Sequence, residues 1–180
     1  TDSSMATTAP TANAIPEGTG IFAQPSTLPF HAPDFSRIQD SDFRPAIEQG
    51  MAIEKAEWQA IADNPAAPTF DNTIVELQRT GRMLDRVMRV FSVMTGTVTN
   101  DTLDAIDEEM SPRLAAHSDT LYLNDEIFAR VKAVYDNRAA MSMTPEDAVL
   151  LEKTYENFVH AGAELSPEAK TQLRDINTQL

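Results

Sequence analysis

The chain contains no cysteine among its 180 residues, which excludes disulfides and thiolate-ligated metal and leaves the redox compartment open. No apolar run approaches the roughly 18 residues that a membrane-spanning helix requires. Basic residues are scarce: 14 Lys and Arg stand against 28 Asp and Glu, for a net charge of −14. Nucleic acid and anionic membranes bind through clustered cations, so both are disfavoured as partners. The acidity reads as a solubilising surface. Histidine is limited to His31, His117 and His160, and none opens an H-E-x-x-H, the helical spacing that sets two imidazoles and a general-base Glu on one face. Alternating apolar and polar runs are also missing, since Thr97-Val98-Thr99 is too short for a strand.

What is present is helix. A hydrophobic fraction of 42% is ordinary for a globular chain, and the length suits one domain. Phe43, Ile47, Met51, Trp58 and Ile61 follow helical spacing behind Ser41 or Asp42 as N-cap, and Asn64-Pro65 ends that run. Thr69 caps a second helix with Ile74, Leu77, Leu84, Met88 and Phe91 on one line, closed by Gly96. A third starts near Thr99 or Asn100 and carries Leu103, Ile106, Met110, Leu114 and Leu121. Pro112 inside it predicts a kink or two abutting helices.

Asn124 caps a fourth helix with Ile127, Phe128, Val131, Val134 and Tyr135. Thr144-Pro145-Glu146-Asp147 places a cap, then proline at the first helical position, then acids that complement the helix dipole. The fifth helix buries Leu150, Leu151, Tyr155, Phe158 and Val159 and stops at Gly162. Ser166-Pro167-Glu168 opens a sixth, with Leu173, Ile176 and Leu180 on one face, and its pattern stops without a C-cap, as a cut would leave it. Short loops favour antiparallel neighbours. The expected fold is an all-α antiparallel bundle of about six helices with an extended N-terminal arm.

Residues 1–20 hold Thr, Ala, Ser, Pro and Gly with almost no large apolar group, too little to offset the entropy of ordering. They read as a flexible leader. Such tethers follow the cleavage site of exported proteins, which favours periplasm or cell envelope, with cytoplasm as the alternative; a scar of recombinant expression has the same composition. Thr1 in place of Met fits either trimming or engineering. Residues 21–180 form one helical lobe, with an arm at 21–40 and helices over 41–180. In the arm, Phe22, Leu28, Phe30, Phe35 and Ile38 alternate with Pro25, Pro29 and Pro33, so the segment is extended and packs across the helices.

Four side-chain groups invite a chemical reading. Arg79, Arg82, Arg86 and Arg89 form a helical stripe. It reads either as an anion clamp or as a surface paired with Asp104, Asp107 and Glu108 on an antiparallel neighbour, and the ion-paired surface is expected. Those three acids lack the glycine-turned loop of a Ca²⁺ site. His117, beside Asp119, and His160, near Glu164, lie late in their helices, where the dipole favours them without catalytic duty. No catalytic, cofactor-binding or metal-binding residue is assigned.

Thr69-Phe70-Asp71-Asn72-Thr73-Ile74, followed by Arg79-Thr80-Gly81 and Leu84, resembles the second helix of the thimet oligopeptidase family of zinc metallopeptidases. Ala115-Ala116-His117-Ser118-Asp119 with Tyr122-Leu123-Asn124-Asp125 resembles the same family further along, as do Leu151-Glu152-Lys153, Phe158-Val159-His160-Ala161-Gly162-Ala163 and Leu165-Ser166. The resemblance runs from near Phe22 to Leu180 and is most similar in wording to the bacterial peptidyl-dipeptidases. It implies an N-terminal, non-catalytic lobe that walls a channel admitting short peptides, with zinc and the H-E-x-x-H helix in a catalytic lobe that is absent here. A free-standing helical peptide- or protein-binding module is the alternative. An unpartnered sixth helix further predicts a homodimer of the fragment.

Overall fold

The computed structural model describes residues 14–179; the first thirteen residues of the expected leader, and Leu180, lie outside the described residues. Most of the helices begin where a side chain can satisfy free amides of the first turn. At the head of α1 (Asp40–Ala62), Asp42 Oδ2 accepts from Gln39 N at 2.8 Å while Asp42 N donates to the Gln39 carbonyl at 2.9 Å. The helix therefore starts before the expected caps Ser41 and Asp42, because the Asp42 carboxylate reaches back from inside the first turn. Thr69 and Asn72 form a reciprocal box, at 3.1 and 2.8 Å. A π-helical segment, Phe70–Val75, follows and runs into α2 (Glu76–Arg79).

The single helix expected from Thr69 to Gly96 is in fact broken. Thr80 is extended and Gly81 is left-handed at φ 71°, and α3 (Arg82–Thr97) begins anew. Gly81 is needed twice over: for that φ, and because a Cβ there would lie 2.1 Å from Glu54 Oε1. Asn100 then caps α4 (Asp101–Tyr122), accepting from Thr102 N and Leu103 N at 3.0 Å each. Pro112 does not divide α4, since it sits on the exposed side, where water can take up the carbonyl it frees. Asn124 caps α5 (Asp125–Asp136) through Glu126 N and Ile127 N at 2.9 Å each. Thr144 opens α6 (Pro145–His160) at 3.1 Å from Asp147 N, and Ser166 Oγ accepts from Ala169 N at 3.3 Å in α7 (Pro167–Gln179). No strand occurs among the described residues; the fold is all-α.

The bundle is organised around α1, whose two halves serve different cores. Phe43 and Ile47 from its first half meet Val87 and Phe91 of α3 and Leu103 and Met110 of α4. Trp58 from its second half meets Ile74, Ile127, Val131, Leu151 and Phe158. Each large side chain so buried contributes about 1.5–3 kcal/mol. At Gly50, α1 and α3 approach so closely that a Cβ would lie 2.9 Å from Leu84 Cα. As a result α3 and α4 both lean on α1 and meet each other only lightly.

Polar groups fasten the outer elements. Arg44 pairs with Glu109, and Arg113 pairs with Glu48 at 2.7 Å, across α1 and α4. Buried Arg130 donates to Asn64 O, Ala66 O and Asn72 Oδ1 at 2.9, 3.1 and 3.1 Å, which holds the α1-to-α2 connection. Buried Lys170 pairs with Asp125, and Asn177 donates to Asp119 at 2.9 and 3.1 Å, docking α7 on the α4–α5 corner.

The arm is docked at its ends. Phe22 is buried against Phe43, ring centroids 5.5 Å apart, and Ile38 packs on the same core. Leu28, Phe30 and Phe35, expected to pack as well, face solvent, because the chain lifts off α3 in a short 3-10 turn at Pro29–His31. Upstream of the arm, Thr19 N and Oγ1 both donate to Gln49 Oε1, at 2.9 and 3.0 Å.

Candidate functional site

The arginines that align in the sequence are separated by the break at Gly81. Arg79 belongs to α2 and bonds Glu76 at 2.8 Å. Arg89 bonds Asp85 of its own helix at 2.7 Å. Arg86 turns inward and donates through Nη1 to the Phe22 carbonyl, which ties the arm to α3, and burial holds its guanidinium below its ordinary value. Arg82 has no hydrogen bond or ion pair among the described residues, only a longer-range attraction to Glu57. The expected pairing of Arg86 and Arg89 with Asp104, Asp107 and Glu108 does not form: α3 and α4 each pack mainly on α1, and Arg86 and Arg89 are taken by the Phe22 carbonyl and Asp85. Asp104 instead accepts from Thr99 Oγ1, and Asp107 from Ser111 Oγ at 3.4 Å.

His117 does not pair with Asp119, which is occupied by Asn177. Its Nε2 donates to Glu54 Oε2 at 2.8 Å, and its ring stacks on Trp58 at 4.6 Å between centroids. Trp58 Nε1 in turn donates to Thr80 Oγ1 at 3.1 Å, and Glu57 Oε2 accepts from Gly81 N at 2.7 Å. The cluster thus joins α1, α4 and the α2–α3 break. Burial, with repulsion from Glu54, pushes the Glu57 carboxyl above its usual range, against the pull of the Gly81 amide and Arg82. Glu54 and Glu57 carry no role in the sequence reading. Their spacing to Trp58, four residues and one, is the signal that puts two carboxylates beside a buried ring.

His160 is exposed at the end of α6, and Glu164 accepts from Tyr155 Oη at 3.2 Å. His31 Nδ1 lies 2.8 Å from Ser26 O in the arm. The three histidines therefore stand in three separate places. Among the described residues, no group of three or more His, Asp or Glu is placed to hold a metal ion. No helix among them is long and apolar enough to cross a membrane.

A groove of about 760 Å³ lies between the arm and α3. Phe30, Phe35 and Val93 supply its apolar rim, and Arg82, Arg86 and the Arg89–Asp85 pair its charged side. A neighbouring cavity of about 270 Å³ on the other flank of the arm includes Arg37.

By fold, then, the described residues form an all-α bundle. The chain matches no protein-family model. It is 43% identical over 154 residues to the dipeptidyl carboxypeptidase of Salmonella typhimurium, covering 86% of this chain and 23% of that protein. To the dipeptidyl carboxypeptidase of Escherichia coli it is 43% identical over 158 residues, covering 88% of this chain and 23% of that protein. Over the matched residues the chain is related to the bacterial dipeptidyl carboxypeptidases, as its motifs indicate, and it spans under a quarter of the length of these relatives.

Proposed function

We propose that the chain is a non-catalytic N-terminal lobe of a zinc-dependent peptidyl-dipeptidase and forms one wall of the channel through which short peptides reach the catalytic centre. The observation that carries this reading is the 43% identity to dipeptidyl carboxypeptidases over 86–88% of the chain. The described residues do not fit a zinc site, having no ligand group, so zinc would be held by a catalytic lobe elsewhere in the polypeptide and no hydrolytic step runs through this chain. What the lobe contributes is shape. Buried Arg130 and Lys170 and the Glu54–His117 pair lock the helices into a firm wall, and narrowing access in this way would select unfolded peptides over folded proteins.

On its own, the 180-residue chain would also pair with a second copy. Its α7 face retains an exposed Ile176, while Leu173 is partly covered and lies near Gly162.

Photocrosslinking tests the wall role. A peptide carrying benzoylphenylalanine, bound to the full-length peptidase, should crosslink within residues 14–179. Crosslinks confined to other parts of the polypeptide would remove the wall role and leave the relationship to the peptidases standing.

A further inference from the structure

Four features converge on the arm–α3 groove. The aromatic Phe30 is fully exposed, and Phe35 and Val93 are each about half exposed beside it. Large apolar side chains gathered on one face mark interaction sites. Phe30 and His31 are the two non-glycine residues with positive φ among those described, at 58° and 56°. Local bonds hold them there, from His31 N to Leu28 O at 2.9 Å and between His31 Nδ1 and Ser26 O at 2.8 Å. A strained turn that points an aromatic ring into water is kept by the surrounding structure for a reason other than packing.

The third feature is charge. In a chain of net charge −14, the groove gathers Arg82, Arg86 and Arg89 against the single acid Asp85, which Arg89 bonds, while Arg86 is turned to the Phe22 carbonyl, so Arg82 is the cation left open there. Arg82 has no side-chain hydrogen bond or ion pair among the described residues, so its guanidinium donors are available to a carboxylate. The fourth is space: about 760 Å³ accommodates one large side chain with its flanking backbone.

We propose that this groove is a docking surface for an acidic peptide segment of another protein, one that carries a large apolar side chain beside its carboxylates. The apolar side chain packs against Phe30, Phe35 and Val93 while a carboxylate meets Arg82. Charge complementarity selects this occupant. A second copy of the chain fits less well: its acidic α4 face exposes Asp101, Asp104, Asp107 and Glu108, but the intervening Leu103 and Ile106 are buried and give no anchor. The inference does not depend on the peptidase reading.

The test is fluorescence anisotropy of the 180-residue chain with fluorescein-labelled peptide EDFEDL, beside KKFKKL and EDAEDA. The expected result is saturable binding of EDFEDL, weakened roughly tenfold by removal of the apolar anchors, absent on charge inversion and reduced by salt. Phe30→Ala and Arg82→Glu should each weaken it roughly tenfold or more. Both side chains are exposed, so folding is not at stake, and circular dichroism verifies it. Equal binding of all three peptides, or binding indifferent to both substitutions, overturns the proposal. So does an absence of binding at millimolar peptide. Self-association lost in Phe30→Ala would give the groove to a second copy, and protection of Phe30 from hydroxyl-radical labelling in a full-length polypeptide without added peptide would give it to the rest of the same chain; either result overturns the proposal as well.

Discussion

His117 on α4 and Glu54 on α1 are joined by a 2.8 Å hydrogen bond across a helix interface that leaves their side chains only 10% and 16% exposed. Removing one partner of such a pair leaves the other desolvated and unsatisfied, which costs about 1–3 kcal/mol. His117→Ala also empties the face of Trp58. We expect a loss of about 2–3 kcal/mol in urea unfolding. A change below about 0.5 kcal/mol would mean that the pair is a surface ornament and not a joint.

Glu57 makes stability depend on pH. The fold raises its carboxyl above the ordinary 4.5, chiefly through burial, so the charged form is disfavoured in the folded state. The penalty is present in full above the folded value and disappears as pH falls through that value toward 4.5. Glu57→Gln keeps an acceptor for the Gly81 amide and removes the charge. The variant should exceed the parent chain by a few tenths of a kcal/mol at neutral pH, small because solvent screens this partly open group. The advantage should vanish at about pH 4. An equal difference at both pH values would show that charge is not its source.

How far the sequence reaches depends on the range of the interaction. Caps act within three residues, and Thr69, Asn124 and Thr144 stand in the structure where local pattern puts them. Helical periodicity likewise picks out Phe43, Ile74, Val131 and Phe158 as core. Contacts across more than fifty residues leave no such trace: Arg86 to the Phe22 carbonyl, His117 to Glu54, Asn177 to Asp119. The arginine stripe misleads because one left-handed glycine resets the helical phase, so side chains at regular spacing in sequence point from two different helices. The arm aromatics mislead because proline content predicts an extended backbone without saying which side chains it turns inward.

Arg86 clamps the arm, and its loss should be felt there first. A hydrogen bond to a charged donor contributes about 1.5–3 kcal/mol, so Arg86→Ala should lose about that much rather than the near-zero effect of a surface ion pair. Limited proteolysis locates the change: cleavage between Ala23 and Arg37 should accelerate while the helices resist. Unchanged cleavage in the arm would show that Phe22 and Ile38 fasten it without Arg86.

Two glycines make opposite forecasts. Gly50→Ala places a Cβ 2.9 Å from the Leu84 backbone and must push α1 and α3 apart, at a cost of about 1–3 kcal/mol. A Cβ on Gly96 in α3 would meet nothing within 4 Å, and Gly96→Ala should stabilise by about 0.5–1 kcal/mol through helix propensity. Thermal unfolding of the two variants side by side checks the α1–α3 approach, and a neutral Gly50→Ala would contradict it.

Sedimentation equilibrium addresses self-association through α7. The isolated chain should dimerise weakly with rising concentration, and Ile176→Lys should abolish this by burying a charge where an apolar side chain sat. A monomer at every concentration would remove the dimer.

The proposed division of labour is tested most directly by measuring zinc content and C-terminal dipeptide release on two samples, the 180-residue chain and the full-length polypeptide of which it is proposed to be a lobe. One zinc and dipeptide release are expected for the full-length protein, and neither for the chain alone. Stoichiometric zinc with chelator-sensitive cleavage in the 180-residue chain would contradict it.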